Sequence, residues 1–158
     1  MPSNHHLRPA TPDDLAFQSR LYASTREDEL NAAQFPMEMR EAFLSMQFQA
    51  QTTHYTNYYP GAEWSIVECD GQPAGRLILH RAEDHLGIID IALMPEFRGR
   101  GIGTELFKQV FAESVATQLP VRLFAITGER AIQLYHRLGF VDVSDDGLHT
   151  ELVWRPAC

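Results

Sequence analysis

Between Arg98 and Gly103 the chain reads Arg-Gly-Arg-Gly-Ile-Gly. Glycines at alternate positions remove the Cβ atoms that would block a ligand and let backbone N–H groups turn inward. Two arginines in the same turn add fixed positive charge. This is chemistry for an anion, a phosphate above all. An apolar run precedes it, Leu86-Gly87-Ile88-Ile89-Asp90-Ile91-Ala92-Leu93-Met94, and Pro95 breaks that run. After it, Ile102, Leu106 and Val110 recur at helical spacing, with Phe107, Phe111 and Val115 beside them. Strand, glycine turn and helix build a phosphate pocket, because the helix adds its unpaired first-turn N–H groups and the positive end of its dipole.

Other residues could move protons or hold a charge. Asp90 is an acid inside an apolar strand, and a buried carboxylate needs a partner. It is either a structural pair with Arg76 or Arg122, or an acid near an acceptor site as base or amine anchor. His80 lies at a strand end beside Arg81. Its ordinary pKa suits a base, and a surface histidine is the plainer reading. Glu27 and Glu29, with Asp28 between them, form a solvated helix end or an acidic rim that draws in a cation. Tyr55, Tyr58 and Tyr59 line a groove or pack under a loop. Tyr135 sits beside Leu134 and Leu138 and by itself reads as an aromatic on the apolar face of a short helix. His5 and His6 are too few for a metal site, and Cys69 and Cys158 make no zinc pattern.

The elements that would position these residues follow in order. Leu7–Ala10 is a short strand. Thr11, Pro12 and Asp14 suit the N-cap, first and third positions of a helix ending near Arg26-Glu27-Asp28. A second helix starts near Pro36, with Met39, Phe43 and Met46 as core, and runs towards the tyrosines and Pro60-Gly61. Trp64–Cys69 and Ala74–Arg81 are strands joined by the turn Asp70-Gly71-Gln72-Pro73. The central strand, glycine turn and long helix come next, and Pro120 ends that helix. Val121–Ile126 is a strand and Glu129–Leu138 a helix stopped by Gly139. A hairpin across Asp145-Asp146-Gly147 closes the chain. The order β-α-α-β-β-β-α-β-α-β-β predicts one α/β domain over residues 1–158. Its sheet is mixed and flanked by helices, and its middle is a right-handed crossover between parallel strands.

Composition narrows the function classes. The chain has 158 residues, 44% of them hydrophobic, enough for a core without disulfide or metal support. A net charge of −8 argues against nucleic acid and anionic membrane as partners. It also makes Arg98 and Arg100 local exceptions. The start is polar and reads as no signal peptide, and the run at Leu86 is too short to span a bilayer. Two cysteines with nothing to require their pairing suggest a reducing, cytoplasmic setting.

Arg98-Gly99-Arg100-Gly101-Ile102-Gly103 resembles the acetyl-coenzyme A motif of the GCN5-related N-acetyltransferase (GNAT) superfamily, Arg/Gln-x-x-Gly-x-Gly/Ala. A second stretch, Ala131-Ile132-Gln133-Leu134-Tyr135-His136-Arg137-Leu138-Gly139-Phe140, is similar to that family's closing motif, a helix bearing Leu-Tyr and ending at Gly-Phe. The resemblance covers nearly the whole chain. It implies acetyl-coenzyme A as co-substrate, with the pyrophosphate on backbone N–H groups from Arg98 through Gly99, Arg100, Gly101, Ile102 and Gly103 to Thr104. The pantetheine arm would lie along Ala92, Leu93 and Met94, where the strand splays from the one at Val121. A backbone N–H near Leu93 or Met94 would polarise the thioester carbonyl, and Tyr135 would protonate the leaving thiolate. The implied acceptor is an amine, small or on a protein, and a homodimer is in keeping with the family.

Two departures stand out. The family's asparagine three residues before the closing alanine is Gly128 here, and the early strand has no glutamate before Asp90. These leave room for a domain that binds coenzyme A or an acyl thioester as a sensor. A dinucleotide site is the remaining rival, but its fingerprint is G-x-G-x-x-G, whereas Gly99, Gly101 and Gly103 give G-x-G-x-G.

Overall fold

The structure, a computed structural model, describes residues 4–157. Cys158 and the first three residues lie outside the described residues, and with them the expectations about Cys158 and the polar start.

The chain enters through β1 (His5–Pro9) and a 3-10 turn (Pro12–Asp14) that leads into α1 (Leu15–Ala32). Asp14 organises this entry. Its carboxylate accepts the Thr11 backbone N–H at 2.8 Å and takes two N–H bonds from Arg8 at 2.7 and 2.8 Å. The Arg8 guanidinium holds the Asp14 carboxyl down at about 2, with the Thr11 N–H adding to the effect. Helix α1 runs past its expected end near Arg26-Glu27-Asp28, so Glu27 and Glu29 lie within the helix. It stops where Ala33 N–H bonds the Glu29 carbonyl and Gln34 takes a left-handed φ of 53°.

Helix α2 (Met37–Tyr58) begins where expected and takes in Tyr55 and Tyr58. Its inward face differs from the expected one. Met39 and Met46 are each 58% exposed, and Phe48 is buried in their place. Phe48 packs on Tyr22 of α1 with ring centroids 6.0 Å apart. The helix carries apolar residues on more than one face, and the aromatic ring removes its area from water where flexible methionines do not.

Seven strands follow the predicted alternation: β2 (Glu63–Cys69), β3 (Gln72–Arg81), β4 (Leu86–Leu93), β5 (Val121–Ile126), β6 (Val141–Asp145) and β7 (His149–Trp154) join β1. A 3-10 turn (Pro95–Phe97) and α3 (Ile102–Thr117) separate β4 from β5, and α4 (Ala131–Leu138) separates β5 from β6. The sheet order is β1-β2-β3-β4-β5-β7-β6. β1 runs antiparallel to β2 and β7 antiparallel to both β5 and β6. β4 and β5 are parallel, paired at Leu86–Ile88 with Val121–Leu123. The β2–β3 turn places Asp70 and Gly71 at φ 52° and 80°, which the primed hairpin turns require.

The chain packs as two units. One comprises the chain to Ile78 together with Asp90–Gly103; it holds Phe17, Leu21 and Ile66 in its core, with Ala10, Ala92 and Met94 against them. The other comprises Leu79–Ile89 and the chain from Thr104. Its core includes an aromatic cluster in which Phe111 stacks on Trp154 at 4.0 Å and Phe140 meets Phe107 edge-on at 5.9 Å. Among the described residues no helix is long and apolar enough to cross a membrane.

Candidate active site

The end of β4 is shaped by a close approach to β3. A Cβ added at Gly75 would lie 2.2 Å from the Ala92 carbonyl oxygen and 2.7 Å from Leu93 Cδ2. Only glycine fits there. The hairpin register shows why the strands crowd. Ala82 N–H bonds the His85 carbonyl, and Met94 N–H bonds the Ala74 carbonyl. Between these bonds β3 advances eight residues and β4 nine, so β4 carries one extra residue, as in a β-bulge. Bulges re-aim backbone groups beside sites. The signal for Gly75 was present in the sequence, since an isolated glycine in a strand marks a bulge or a close backbone approach, but the residue was not singled out.

This approach also divides the polar groups of the strand end. Met94 N–H is bonded to Ala74 at 2.8 Å, so it is not open to a ligand, contrary to one of the two expected positions. The Leu93 carbonyl accepts from Arg98 Nε at 2.9 Å.

Arg98 therefore ties the glycine turn to the strand before it, and its Nη2 reaches Ser24 Oγ at 3.5 Å. Arg100 lies over the Phe97 ring, 5.2 Å from its centroid. Gly99 and Gly101 take φ of 75° and 84°, and a Cβ on either would meet nothing within 4 Å. The left-handed backbone is what demands glycine, and the open space beside it is room for a ligand. Ile102 is buried and anchors the start of α3, which leaves its backbone N–H and those of Gly103 and Thr104 as first-turn donors. The cradle fits a pyrophosphate: glycines, free helix-start amides and no carboxylate between Arg98 and Thr104.

In the same unit a polar network surrounds Asp90. Arg76, 3% exposed, donates to Asp90 Oδ2 from Nε at 2.8 Å and from Nη2 at 2.5 Å. It also donates from Nη1 to Gln18 Oε1 at 3.0 Å and from Nη2 to Gln51 Oε1 at 3.1 Å, and its Cζ lies 5.5 Å from the Trp64 ring centroid. Of the two partners considered for Asp90, Arg76 takes it, and Arg122 pairs with Glu151. Among the described residues only Oδ2 is engaged, and the Asp90 side chain keeps 23% exposure. Tyr55 lies in the same region, edge-on to Trp64 at 6.2 Å. Burial, reinforced by the Asp90 charge, pushes the Tyr55 hydroxyl well above its ordinary value, so it remains a neutral donor. Gln18 and Gln51 gave no sequence signal, because only the tertiary fold brings them to Arg76.

The acids of α1 are placed differently. Glu27 is exposed, and Glu29 is paired with Arg26 at 2.7 Å, which offsets one of the three charges of the expected acidic rim. Arg26 also donates to the Tyr22 hydroxyl at 2.6 Å.

Tyr135 and His80 belong to the second unit. Tyr135 is half-buried on α4, with its ring 5.8 Å from Phe107 and 6.0 Å from Phe140. The helix stops at Gly139, whose φ of 107° allows the left-handed cap, and a Cβ there would press on Trp154 Nε1 at 3.0 Å. The Gly-Phe ending thus fixes the helix that carries the tyrosine. His80 is half-buried near the end of β3. Gly128, in the turn after β5, is exposed with φ 88°. Among the described residues no cluster of His, Cys, Asp or Glu could hold a metal.

A search of curated protein sequences finds no match. Solved structures match throughout the chain. The PaiA N-acetyltransferase of Thermoplasma acidophilum, in complex with coenzyme A, is 16% identical over 96% of this chain and 99% of its own, with a TM-score of 0.73. A GNAT family acetyltransferase of Elizabethkingia anophelis with acetyl-CoA bound is also 16% identical, over 96% of this chain and 98% of its own, with a TM-score of 0.60. A GCN5-related N-acetyltransferase structure from Rhodopseudomonas palustris is 24% identical over 98% of both chains, with a TM-score of 0.65. These likenesses bear on the fold. The sequence profile described as Acetyltransferase (GNAT) family matches residues 17–140, from α1 through the glycine turn to the Gly-Phe ending, and the chain belongs to that family.

Proposed function

We propose that residues 1–158 act as one N-acetyltransferase domain that moves an acetyl group from acetyl-coenzyme A to a primary amine by direct attack. The observation that carries this reading is the glycine cradle, with left-handed Gly99 and Gly101 opening on free space directly before the first turn of α3. Acetyl-coenzyme A, when bound, supplies an acetyl group activated as a thioester. The chain's own residues do the rest. Backbone N–H groups from Arg98 to Thr104 hold the pyrophosphate. Leu93 N–H donates to the thioester carbonyl, while Met94 N–H stays with Ala74. Ala92 and Leu93 flank the pantetheine arm, and Gly75 lets the strand bend there.

Asp90 holds the incoming amine through the oxygen that Arg76 leaves open. Tyr55 and Trp64 shape the region around it, and His80, Glu27 and Glu29 take outlying roles in drawing the amine in. Tyr135 donates the proton to the leaving thiolate; the ordinary values of about 10 for a tyrosine and about 8.5 for a thiol lie within reach of each other, and the proton that the acylated amine sheds restores the tyrosine. Much of the rate then comes from holding two substrates in register.

Release of free thiol from acetyl-coenzyme A, measured across polyamines, amino acids, aminoglycosides and peptide N-termini, tests the reaction. Tight binding with no thiol release on any amine would replace the enzyme with a sensor. Gly101→Val tests the cradle, because a β-branched side chain at φ 84° both strains the turn and fills the ligand's space. Calorimetry should find no coenzyme A binding in that variant, and wild-type affinity in the folded variant would remove the assignment.

A further inference from the structure

We propose that the acceptor is an amine that is substantially uncharged near neutral pH, carried beside an amide carbonyl as at a peptide N-terminus. Arg76 sets this choice, because it occupies in advance the groups that would hold an ammonium. The choice rests on the acetyl-transfer reading, with Asp90 as the amine anchor.

Carboxylates, aromatic faces and amide oxygens are what hold an ammonium in a protein. Around Asp90, Arg76 has taken each kind. It donates to Asp90 Oδ2 from Nε and Nη2, its Cζ stands 5.5 Å from the Trp64 ring centroid, and it donates to the amide oxygens of Gln18 and Gln51. These residues come from α1, α2, β2, β3 and β4, and all lie in the first unit. They carry one guanidinium and one carboxylate, so the group is neutral before any substrate arrives. Tyr55, edge-on to Trp64, stays a neutral donor.

The same pattern recurs on α1. Arg26 pairs with Glu29, donates to the Tyr22 hydroxyl and lies 5.8 Å from the Tyr22 ring centroid. Glu29, which the sequence offers for drawing in a cation, already has one.

Arg76 is 3% exposed, and a guanidinium keeps its proton, so its charge is a fixed feature of the site. A second cation brought to Asp90 meets that charge at short range, and a like charge nearby disfavours the charged form of an amine. No such repulsion opposes a neutral amine. It donates an N–H to Asp90 Oδ1 and keeps its lone pair for the thioester. The N–C bond then forms as the C–S bond breaks, and the one proton that the nitrogen sheds balances the one that Tyr135 gives to the sulfur. At pH 7 an α-amine with an ordinary value of about 7.7–8.0 is roughly a tenth neutral, whereas a lysine side chain at about 10.4 is well under a thousandth neutral.

Thiol release from acetyl-coenzyme A is measured with alaninamide, with a trialanine amide and with the side chain of N-acetyl-lysine amide. At pH 7 kcat/KM should be at least about tenfold higher for the two α-amines than for the lysine side chain. A preference between the two α-amines separates a small amide from a chain end as the source. Arg76→Gln leaves Asp90 and Trp64 open to a cation, so the ratio should narrow several-fold, chiefly through a lower KM for the lysine amide. A purely structural role would depress all three acceptors alike, and unchanged coenzyme A affinity by calorimetry shows that the variant is folded. The wild-type ratio stands without the variant. Equal or better use of the lysine side chain by wild type, or an unmoved ratio in folded Arg76→Gln, would overturn the proposal. Thiol release from no amine at all would instead take down the acetyl-transfer reading, and this choice with it.

Discussion

Tyr135 is the residue on which the proton balance of the proposed reaction turns. Its ring is held among Phe107 and Phe140, so removal of the hydroxyl leaves the packing intact. Tyr135→Phe should therefore lower kcat by roughly a hundredfold, the lower end of what general acid catalysis contributes. Coenzyme A affinity should stay within a factor of two or so, because the hydroxyl meets the sulfur only as it leaves. Single-turnover kinetics beside calorimetry separates the two effects, and unchanged turnover would remove Tyr135 from the chemistry. Gly75 makes a different kind of demand. Gly75→Ala puts a methyl group 2.2 Å from a backbone oxygen that cannot swing aside. Such overpacking costs about 1–3 kcal/mol. A lowered urea midpoint together with weakened coenzyme A binding is expected; a neutral effect on both would mean that β4 relaxes freely there.

Elements decide how these residues are presented. β4 carries one residue more than the strand beside it, and at its end Met94 N–H bonds back to Ala74 while the Leu93 carbonyl accepts from Arg98. The junction of β1 and α1 rests on the Asp14 carboxylate. Asp14 falls to about 2 in the folded chain from an ordinary 3.8. Folding thus favours the charged form, and the stabilisation is fully present above about pH 4 and lost as the pH falls through 2. Asp14→Asn should lower the melting temperature at pH 7, and its gap from wild type should close between pH 4 and pH 2. A gap that stays constant over that window would show that the charge of Asp14 contributes nothing. α2 shows where periodicity misleads. Met39, Phe43 and Met46 satisfy helical spacing, yet the face that meets α1 is the one bearing Phe48, because Tyr22 lies opposite it.

At the scale of the whole molecule, the chain carries a net charge of −8 while the glycine turn keeps its arginines in place through Leu93 and Phe97. Cys69 offers a probe of the first unit as a whole. It is a free thiol, fully buried at the end of β2. In a Cys158→Ser protein, a thiol reagent should label Cys69 only at the rate of unfolding, with the same denaturant dependence as circular dichroism. Fast labelling in native buffer would show that this unit opens locally.

The sequence alone determined the element order, the glycine cradle and the helix that carries Tyr135. These rest on local chemistry: period 2 or 3.6 in the apolar residues, left-handed positions that only glycine fills readily, and a cap that stops a helix. Capping at Thr11 and Asp14 and the hairpin at Asp70-Gly71 were legible for the same reason. Only the tertiary structure decided which partner Asp90 takes, since Arg76 and Arg122 are equivalent until strands are paired and register is set. It also decided that the Met94 N–H is taken by Ala74, because an extra residue in one strand is visible only against its neighbour. Gln18 and Gln51 are ordinary helical polar residues in the chain. Packing two helices over a sheet makes them partners of Arg76, and no spacing within either helix encodes what the other brings to it.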